Sequence, residues 1–573
     1  MTKFFTLIIL GLLVAGAPLF AGGEEESSTA AGDMAADSGE PQYGGTLNVM
    51  QRIIQTDGTG DPVSSAPPGE TRVATLIGEK PWTGGVEEYG PRGTNEYPFD
   101  GEFPPNKFYV GRTVERWEQS PDALVFHIRP GVMWSGMSPN PVMEAREYTA
   151  HDFEFNISRF LDAPRGTAVM QKDWITSIEV IDDSTVKLHT KYFNPIWLED
   201  LLDLARGWHI PPEMVEAGPV DWNNMVGTGP FVLEEYSPGS HFRMAKNPLY
   251  WRKTTIDGKQ YQLPFVDNVV IPIIRDETTR IAALRTAKLD YVSFAEKTHA
   301  DSLAMTNPDI QQAYDVYGGV IGMRLRVDRP PFDNVAVRRA LSIGTDREAI
   351  AQTVYERDAP LEWPLMWRAE GYVPYDELPP QHKEILTYDL EKAQQMLADA
   401  GYPNGFKMKL LSSNRPFTPP VAEAFAGLWK QQFGIDVEIE VNEAGLHWGQ
   451  PHDREDWDAW IEWWGTELTL MRFRGNAATD ARNNINRFSD ARFDELLAEA
   501  EKEFDKDKRV ELLTEANLIL IDNALTIAIP HPLKFTFWWP WVKNYYGEAC
   551  YMVHDGLFDL MWIDQDMKAS MGY

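Results

Sequence analysis

The chain has 573 residues, of which 43% are hydrophobic and 24% are charged. This is the balance of a folded globular protein, and the length exceeds that of one ordinary core, so two large lobes or three modest ones are expected. The formal net charge of −33 would repel phosphate backbones, and no run rich in Lys or Arg offers a local exception, so nucleic acid is not expected as a partner.

The first 42 residues predict an export leader followed by a tether. Lys3 precedes an apolar run from Phe4 to Val14 and then small residues, which is the order of a secretory signal peptide, so residues 1–22 are expected to be removed. A buried N-terminal helix is the alternative. Residues 23–42 are small, polar and acidic, and they predict a flexible acidic linker.

Neither a lipid anchor nor a disulfide is expected. Gly23 stands where a lipoprotein leader would carry its lipid-bearing cysteine, so lipid anchoring is not supported. Cys550 is the only cysteine, which excludes an intrachain disulfide and a cysteine-based metal cluster. No later stretch reaches the roughly 18–20 apolar residues of a membrane span. The mature chain is therefore expected to be soluble in the periplasm or another extracytoplasmic space.

Short strands joined by tight turns dominate the first half of the chain. Residues 114–129 predict a hairpin that turns at Pro121, and residues 231–245 predict a second hairpin that turns at Gly239. Residues 60–107 are rich in Pro and Gly and predict long loops with little regular structure. The first half is expected to be mainly antiparallel β.

Helices alternate with strands in the second half. One helix is expected to begin at Thr345, with Glu348 at capping-box spacing, and another is expected to have Asp389 as its N-cap. A third helix is predicted over 418–434, and it runs into 435–441, where apolar residues alternate with acids as in a strand buried on one side. Helix followed by alternating strand indicates an α/β arrangement.

The segment 456–465, "DWDAWIEWWG", places four tryptophans among acidic residues. As a strand, it would direct its odd-numbered side chains, including Trp457 and Trp463, to one side, and its even-numbered ones, including Trp460 and Trp464, to the other. The odd side is apolar, which predicts core packing for Trp457. The even side mixes tryptophan with acids, which predicts a surface that is both aromatic and hydrogen-bonding.

Seven stretches of the chain, in the same order, resemble the extracytoplasmic solute-binding proteins of ABC importers known as family 5. This family includes peptide-, nickel- and oligosaccharide-binding members. The stretches cover almost the whole mature chain and are residues 44–49, 114–134, 148–162, 226–251, 273–291, 330–350 and 388–406. Their glycines and prolines, as in "VGTGPF" (226–231), serve mainly as scaffolding, because they permit tight turns into strands.

The resemblance implies an α/β fold of the two-lobed periplasmic-binding-protein type (type II, large cluster), with an extra β-rich subdomain in the first lobe. The ligand cleft would lie between the lobes. The first lobe is expected over 43–297 and the second over 298–533, with 534–573 returning to the first. Such a protein captures a peptide or similar small oligomer by lobe closure and delivers it to a membrane permease with its ATPases. A monomer without a cofactor or metal is expected.

Tryptophans supply the aromatic candidates for the ligand site. In the family, a strand of the second lobe ends near a Gly-Trp pair at the cleft, and here that end corresponds to Trp463 and Trp464, with Trp460 beside them. Trp367 and Trp82 are further candidates because they are predicted to lie in loops, where binding residues are common.

Charged residues supply the remaining candidates. Peptide-binding members of the family have an acidic residue that pairs with the amino terminus of the peptide, and Glu467 is the nearest substitute here. Arg472 or Arg474 could pair with a ligand carboxylate. Arg326 stands where the family often has Asn, and it shares parity with Arg324 on a predicted strand, so both are candidates to face the cleft.

Two other ligand or function classes remain open. A cleft rich in tryptophan suits sugars, so an oligosaccharide receptor of the same family is the first alternative. A secreted glycoside hydrolase is the second, because it needs only two suitably spaced carboxylates. The patterns GxSxG, HExxH and GxxxxGK[ST] are absent, and no enzyme is expected. His447 and His452 are too few for a metal site and are expected in an exposed loop.

Overall fold

A computed structural model describes most of the chain from residue 39 onward. The described residues are 39–50, 60–63, 71–97, 99, 104, 106–163, 174–195, 197–198, 201, 208–316, 320–355, 361, 363–365, 369–415, 418–447, 449–464, 469–548 and 557–573. The predicted signal peptide, Trp367 and Glu467 lie outside them. Among the helices within these ranges, none combines the length and the apolar character needed to cross a membrane.

A seven-stranded sheet unites the N-terminal and C-terminal parts of the chain. In spatial order its strands are Phe231–Ser237, His241–Lys246, Asn268–Pro272, Thr46–Met50, Tyr291–Ala295, Leu533–Trp538 and Gln311–Val316. The central strand Thr46–Met50 is parallel to both neighbours, and the other pairs are antiparallel. The helices in this part of the chain are Thr71–Ile77, Pro212–Ala217, Glu277–Arg285, Lys297–Thr306 and Gln565–Ser570.

Asp290 joins the two ends of the chain within this sheet. Its carboxylate accepts hydrogen bonds from the backbone N–H of Asn48 at 2.9 Å, from Trp541 Nε1 at 2.8 Å and from Lys568 Nζ at 2.7 Å. A fully buried carboxylate is stable only with such partners. The C-terminal segment therefore packs against the N-terminal strand.

A four-stranded antiparallel sheet adds a β-rich unit. Its strands, in spatial order, are Val114–Ser120, Ala123–Ile128, Thr185–Thr190 and Ile175–Asp182, and the helix Ala150–Leu161 packs on it. Small hairpins pair Trp82–Gly84 with Tyr109–Gly111, Met133–Trp134 with Arg146–Glu147, Lys253–Ile256 with Lys259–Gln262, and Val542–Lys543 with Trp562–Ile563. Trp251 packs against the cores of both the four- and the seven-stranded sheets. We call these two sheets with their helices the first lobe.

Both predicted hairpins of the first lobe are confirmed. Ser120 pairs with Ala123 across the turn that contains Pro121, and Ser237 pairs with His241 across the turn that contains Gly239. Gly239 has φ of +72°, a conformation that glycine adopts without steric cost. The expectation of irregular structure throughout 60–107 is wrong in part, since a helix and a short strand occur there.

A five-stranded sheet forms the centre of the second lobe. In spatial order its strands are Asp436–Asn442, Lys407–Ser413, Ala459–Trp464, Val320–Leu325 and Thr526–Ile529. Helices packed around one core are Val335–Ile343, Arg347–Tyr355, Leu390–Asp399 and Thr418–Phe433, and a neighbouring core holds Thr469–Asn476, Ala491–Ala500 and Lys506–Asn523. Shorter helices are Pro380–Leu386, Ala444–His447 and Gln450–Asp453.

The helix caps follow the sequence closely, with one correction. The carboxylate of Asp389 accepts a hydrogen bond from the backbone N–H of Lys392 at 3.0 Å, as an N-cap does. The cap expected at Thr345 lies one residue later, at Asp346, whose carboxylate accepts from the backbone N–H of Ala349, and the helix begins at Arg347. The Thr345 hydroxyl instead donates to the carbonyl oxygen of Leu341 in the preceding helix.

The chain passes between the two large sheets twice. One passage connects Gln311–Val316 to Val320–Leu325, and the other, at residues 530–532, connects Thr526–Ile529 to Leu533–Trp538. The sequence placed the start of the second lobe at 298, but Gln311–Val316 pairs within the first-lobe sheet. Its partner strand comes from the far end of the chain, so no local sequence pattern could announce this pairing.

Candidate ligand-binding site

The central strands of the second lobe have an apolar face and a mixed face. Met323 lies opposite Ile461 on one neighbouring strand and opposite Ile527 on the other, and all three side chains belong to the same buried core. Residues directly opposite each other in a sheet share a face. This face therefore packs against helices and is closed to a solute.

On the other face, Arg324 lies opposite both Trp460 and Thr526. Its Nε donates to Asn486 Oδ1 at 2.9 Å, and its Nη2 donates to the carbonyl oxygen of Asn476 at 3.0 Å. Burial lowers the pKa of this guanidinium well below its ordinary value. A row of tryptophan, arginine and threonine thus crosses three strands, which agrees with the mixed character predicted for this side.

Trp460 is a packing residue in this conformation. Only 2% of its surface is exposed, and its ring stacks on His447 with centroids 5.2 Å apart and an interplanar angle of 18°. Its Nε1 donates to the carbonyl oxygen of His447 at 3.4 Å, and Leu411 belongs to the same cluster. A ring enclosed in this way cannot present a face to a solute, which corrects the prediction of a ligand platform at Trp460.

The structure also corrects two further predictions, the packing partners of Trp457 and the exposure of His447. Trp457 is buried, as predicted for a core residue, but it packs in the cluster of Trp460 rather than with Ile461. The alternation does not extend to it, because the strand begins only at Ala459. His447 does not lie in an exposed loop, since it is fully buried and one of its ring nitrogens bonds to the carbonyl oxygen of Ile461.

Arg326 is held by acidic partners within the second lobe. Its Nε and Nη2 donate to the carboxylate of Asp328 at 2.9 and 2.8 Å, and Nη2 donates to Glu455 at 2.7 Å. The guanidinium lies 5.0 Å from the ring centroid of Trp457. Burial acts to lower the pKa of Arg326, but its two carboxylate partners outweigh this effect and raise it. These contacts account for the buried charge and correct the prediction that it faces a ligand.

Trp82 belongs to the aromatic core of the first lobe. It has no exposed surface, and its ring stacks on Phe126 with centroids 5.7 Å apart. Trp117 and Trp197 meet it edge-on at 6.1 and 5.8 Å. Such contacts explain why a large aromatic residue is needed there, and they correct its assignment as a loop residue that contacts ligand.

The end of the strand Ala459–Trp464 lies at the junction between the lobes. The backbone of Trp464 is opposite Val320, the first strand residue after one passage, and Ile321 is opposite Ile529, the last strand residue before the other. The side chains of Trp463 and Trp464 lie outside the described residues, as do Glu467 and Trp367. These four remain predictions, and the first two belong to the strand end nearest the junction.

The two candidate arginines of the helix Thr469–Asn476 have different surroundings. Arg474 approaches Glu501, with Nη1 and Oε1 3.5 Å apart. Arg472 and Arg324 line one cavity of about 20 Å³ in the second lobe, together with Asn476 and Thr526. Arg472 and Asn476 stand four residues apart on one helix face, a signal that the sequence contained. Thr526 had no such signal, because strand pairing alone brings it there.

In the part of the chain that the structure describes, no three His, Cys, Asp or Glu side chains converge as a metal site requires.

The lobes also touch through side chains. The rings of Phe193 and Phe504 have centroids 4.6 Å apart, and Met471 packs against the core of the four-stranded sheet as well as a core of the second lobe. The two lobes are thus joined by two passages of the chain and also touch each other through side chains.

Comparisons with known proteins indicate the class of protein. The model of bacterial extracellular solute-binding proteins, family 5 (Middle), matches residues 109–484. The chain is 28% identical to heme-binding protein A of Haemophilus influenzae, covering 75% of this chain and 80% of that protein. It is 26% identical to the dipeptide-binding protein of Escherichia coli, covering 75% and 83%.

Solved structures show the same fold. The periplasmic binding protein DppA from Helicobacter pylori, in complex with the peptide STSA, superposes with a TM-score of 0.70 at 20% identity, covering 91% of this chain and 99% of DppA. The oligopeptide-binding protein AppA from Bacillus subtilis, in complex with a nonapeptide, gives 0.67 at 18% identity, covering 91% and 100%. The chain belongs to the family 5 extracellular solute-binding proteins of ABC importers. The relatives are named as binding proteins rather than enzymes.

Proposed function

We propose that this protein captures a peptide or similar small oligomer between its lobes and delivers it to the permease and ATPases of an ABC importer. The family match over residues 109–484 carries the proposal. Support for a peptide comes from the similarity to a dipeptide-binding protein and from the shared fold with two binding proteins solved with peptides. The receptor itself performs no chemistry, because the partner ATPases supply the energy for import.

Closure of the lobes would provide the binding energy. A peptide enclosed at the junction loses water on both sides, which strengthens each hydrogen bond to its main chain. Ligand binding then shifts the population toward the closed form only as far as the closed form binds more tightly. The permease would read this closed form.

Trp463, Trp464 and Glu467 are the residues we assign to the ligand. They end the strand next to the first passage or follow it directly, so a solute at the junction would meet them. The two tryptophans would pack on the apolar parts of the solute, and Glu467 would pair with the amino terminus of a peptide.

An oligosaccharide is the alternative ligand, but the structure leaves fewer tryptophans available to contact it than the sequence predicted. That alternative rested on a cleft rich in tryptophan, whereas Trp82, Trp457 and Trp460 are all buried in packing. Of the tryptophans predicted as ligand contacts, Trp463, Trp464 and Trp367 are left as sugar platforms. A peptide is therefore the favoured ligand.

A thermal-shift screen of the mature chain tests this proposal. Dipeptides, tripeptides and longer peptides are compared with α- and β-linked oligosaccharides and with heme, which enters because of the similarity to a heme-binding protein. A peptide should raise the melting temperature in a saturable way. If every peptide fails while a sugar or heme raises it, peptide is the wrong ligand. Accumulation of cleaved product would instead favour the secreted hydrolase.

Glu467→Gln adds a test at the level of the site. Loss of the charge pair should weaken binding of a peptide that gives a shift by about tenfold or more, and N-acetylation of that peptide should remove the difference. Glu438→Gln is the matched control, since Glu438 is an exposed acid on an edge strand of the same lobe. Equal affinity of both variants for the free peptide would contradict the role of Glu467.

A further inference from the structure

Two units that contain neither passage between the lobes touch each other across the junction. In the first lobe this is the β-rich unit, whose four strands lie within residues 114–190. In the second lobe it is a three-helix unit, formed by Thr469–Asn476, Ala491–Ala500 and Lys506–Asn523 around one core. The passages instead leave from the seven-stranded and five-stranded sheets. The contact between these units is therefore separate from the hinge.

The contact between the two units is apolar. Phe193, three residues after the last residue of Thr185–Thr190, meets Phe504, which lies between the second and third helices of the three-helix unit. The ring centroids are 4.6 Å apart, and the ring planes are tilted by 48°. Met471, on the first of the three helices, packs against the core of the four-stranded sheet as well as against that of its own unit.

The exposure of Phe504 is not explained by packing within its own lobe. Its side chain is 69% exposed, and among the large exposed hydrophobic residues that the structure describes, only Met305 is more exposed, at 79%. An apolar ring held this far into water contributes little to the core beneath it. The ring of Phe193, on the other lobe, gives it a specific partner.

We propose that Phe193 and Phe504 form an aromatic clasp that favours the closed arrangement of the lobes. Rotation about the two passages moves the lobes as bodies, so contacts outside the hinge separate when the lobes open. Both rings then turn toward water, which is unfavourable for apolar groups. The inference rests on the proposed function only for the opening and closing of the lobes. The clasp is made by the protein alone, so it favours closure by the same factor whichever solute is enclosed.

The strength of one aromatic pair suits a clasp that must also release. A contact between two aromatic rings changes an equilibrium by about two- to tenfold. A factor of this size shifts the balance toward closure without preventing the lobes from reopening, which a solute needs in order to enter and leave.

Single-molecule fluorescence energy transfer on the full mature chain, without ligand, counts the open and closed forms. One dye is attached in each unit, at the exposed positions Ser177 and Glu511, through Ser177→Cys and Glu511→Cys in a Cys550→Ser background. Phe193→Ala and Phe504→Ala should each lower the ratio of closed to open chains by about two- to tenfold. The same distribution in the wild type and in both variants would overturn the clasp.

A double variant shows whether the two rings act on each other. Each single substitution already removes the contact, so Phe193→Ala combined with Phe504→Ala should lower the ratio no further than either single variant does. Effects that multiply in the double variant would mean that the rings act separately, which contradicts the clasp. Met305→Ala is the control, since it removes an apolar side chain even more exposed than Phe504, and it should leave the ratio unchanged.

The same recording separates failure of the clasp from failure of the proposed function. Two populations whose ratio does not respond to either phenylalanine contradict the clasp and leave lobe closure intact. A single population in every protein, both without ligand and with a solute that raises the melting temperature, contradicts lobe closure itself and the clasp with it.

Discussion

Trp460 shows how burial decides the role of a single aromatic residue. Its ring is enclosed by His447, Trp457 and Leu411, so its removal leaves a cavity in packed surroundings. Trp460→Ala should lower the free energy of unfolding by about 3–5 kcal/mol, measured by urea denaturation. Leu446→Ala, at an exposed site nearby, should change it by less than about 0.5 kcal/mol. Equal, small effects would mean that the ring of Trp460 is exposed in solution.

His447 makes the same cluster sensitive to pH. Burial, aided by the charge of Arg415, lowers its pKa to about 4, although its hydrogen bond to the carbonyl oxygen of Ile461 acts in the opposite direction. An unfolded histidine has a pKa of about 6.5, so the unfolded chain binds more protons between these two values. The stabilising contribution of neutral His447 is therefore complete above about pH 6.5 and is lost as the pH falls toward 4.

A variant isolates this contribution from that of the other histidines. Between pH 7 and pH 5, the wild-type chain should lose about 1–2 kcal/mol more stability than His447→Gln, because only the wild-type chain gains a proton at this position when it unfolds in that range. Urea midpoints at the two pH values give the comparison. A parallel loss in both proteins would mean that His447 is not buried as a neutral ring.

The role of each tryptophan could be predicted only in part. Alternation correctly separated the apolar face of Ile461 from the face of Trp460. It could not reveal that His447 and Leu411 cover that second face, because both come from other elements of the second lobe. The pairing of Arg326 with Glu455 was equally hidden, since 129 residues separate the two in the sequence, whereas its other partner, Asp328, is a sequence neighbour.

Among the secondary-structure elements, the start of a helix was predicted correctly where a single side chain caps it. Asp389 caps the helix Leu390–Asp399 through the backbone N–H of Lys392. Asp389→Ala should cost about 0.5–2 kcal/mol of stability, whereas Asp389→Asn should retain most of it, since Asn caps nearly as well. Urea denaturation of the two variants measures the difference. Equal losses would indicate that the charge, and not the cap, is what matters.

Strand pairs that are distant in the sequence could not be predicted, unlike the hairpins. Turn residues located both hairpins of the first lobe, because a hairpin is specified by neighbouring residues. The pairing of Arg324 with Thr526 joins distant parts of the chain, and so does the pairing of Gln311–Val316 with Leu533–Trp538. For this reason the pocket beside Thr526 and the true edge of the first-lobe sheet escaped sequence analysis.

At the scale of the molecule, Phe193 and Phe504 report on contact between the lobes. Phe193 follows the strand Thr185–Thr190 of the first lobe, and Phe504, which is 69% exposed, precedes the helix Lys506–Asn523 of the second. With cysteines at both positions in a Cys550→Ser background, a short bifunctional maleimide should link the lobes within one chain. Mobility on a denaturing gel and mass spectrometry of linked peptides detect the product.

Each single-cysteine variant serves as the control, since it cannot form an intramolecular link. Saturating ligand should raise the yield of the double variant if closure brings the rims together. Absence of an intramolecular link, with both cysteines shown to be reactive, would contradict the contact between Phe193 and Phe504.

The central claim is that the two lobes enclose a peptide without altering it. Isothermal titration of the mature chain with a peptide identified by thermal shift, followed by mass spectrometry of the released ligand, tests this claim most directly. We predict one peptide bound for each chain and recovery of the peptide intact after prolonged incubation. Cleaved peptide, or no saturable binding by any peptide while a sugar or heme binds with one-to-one stoichiometry, would contradict it.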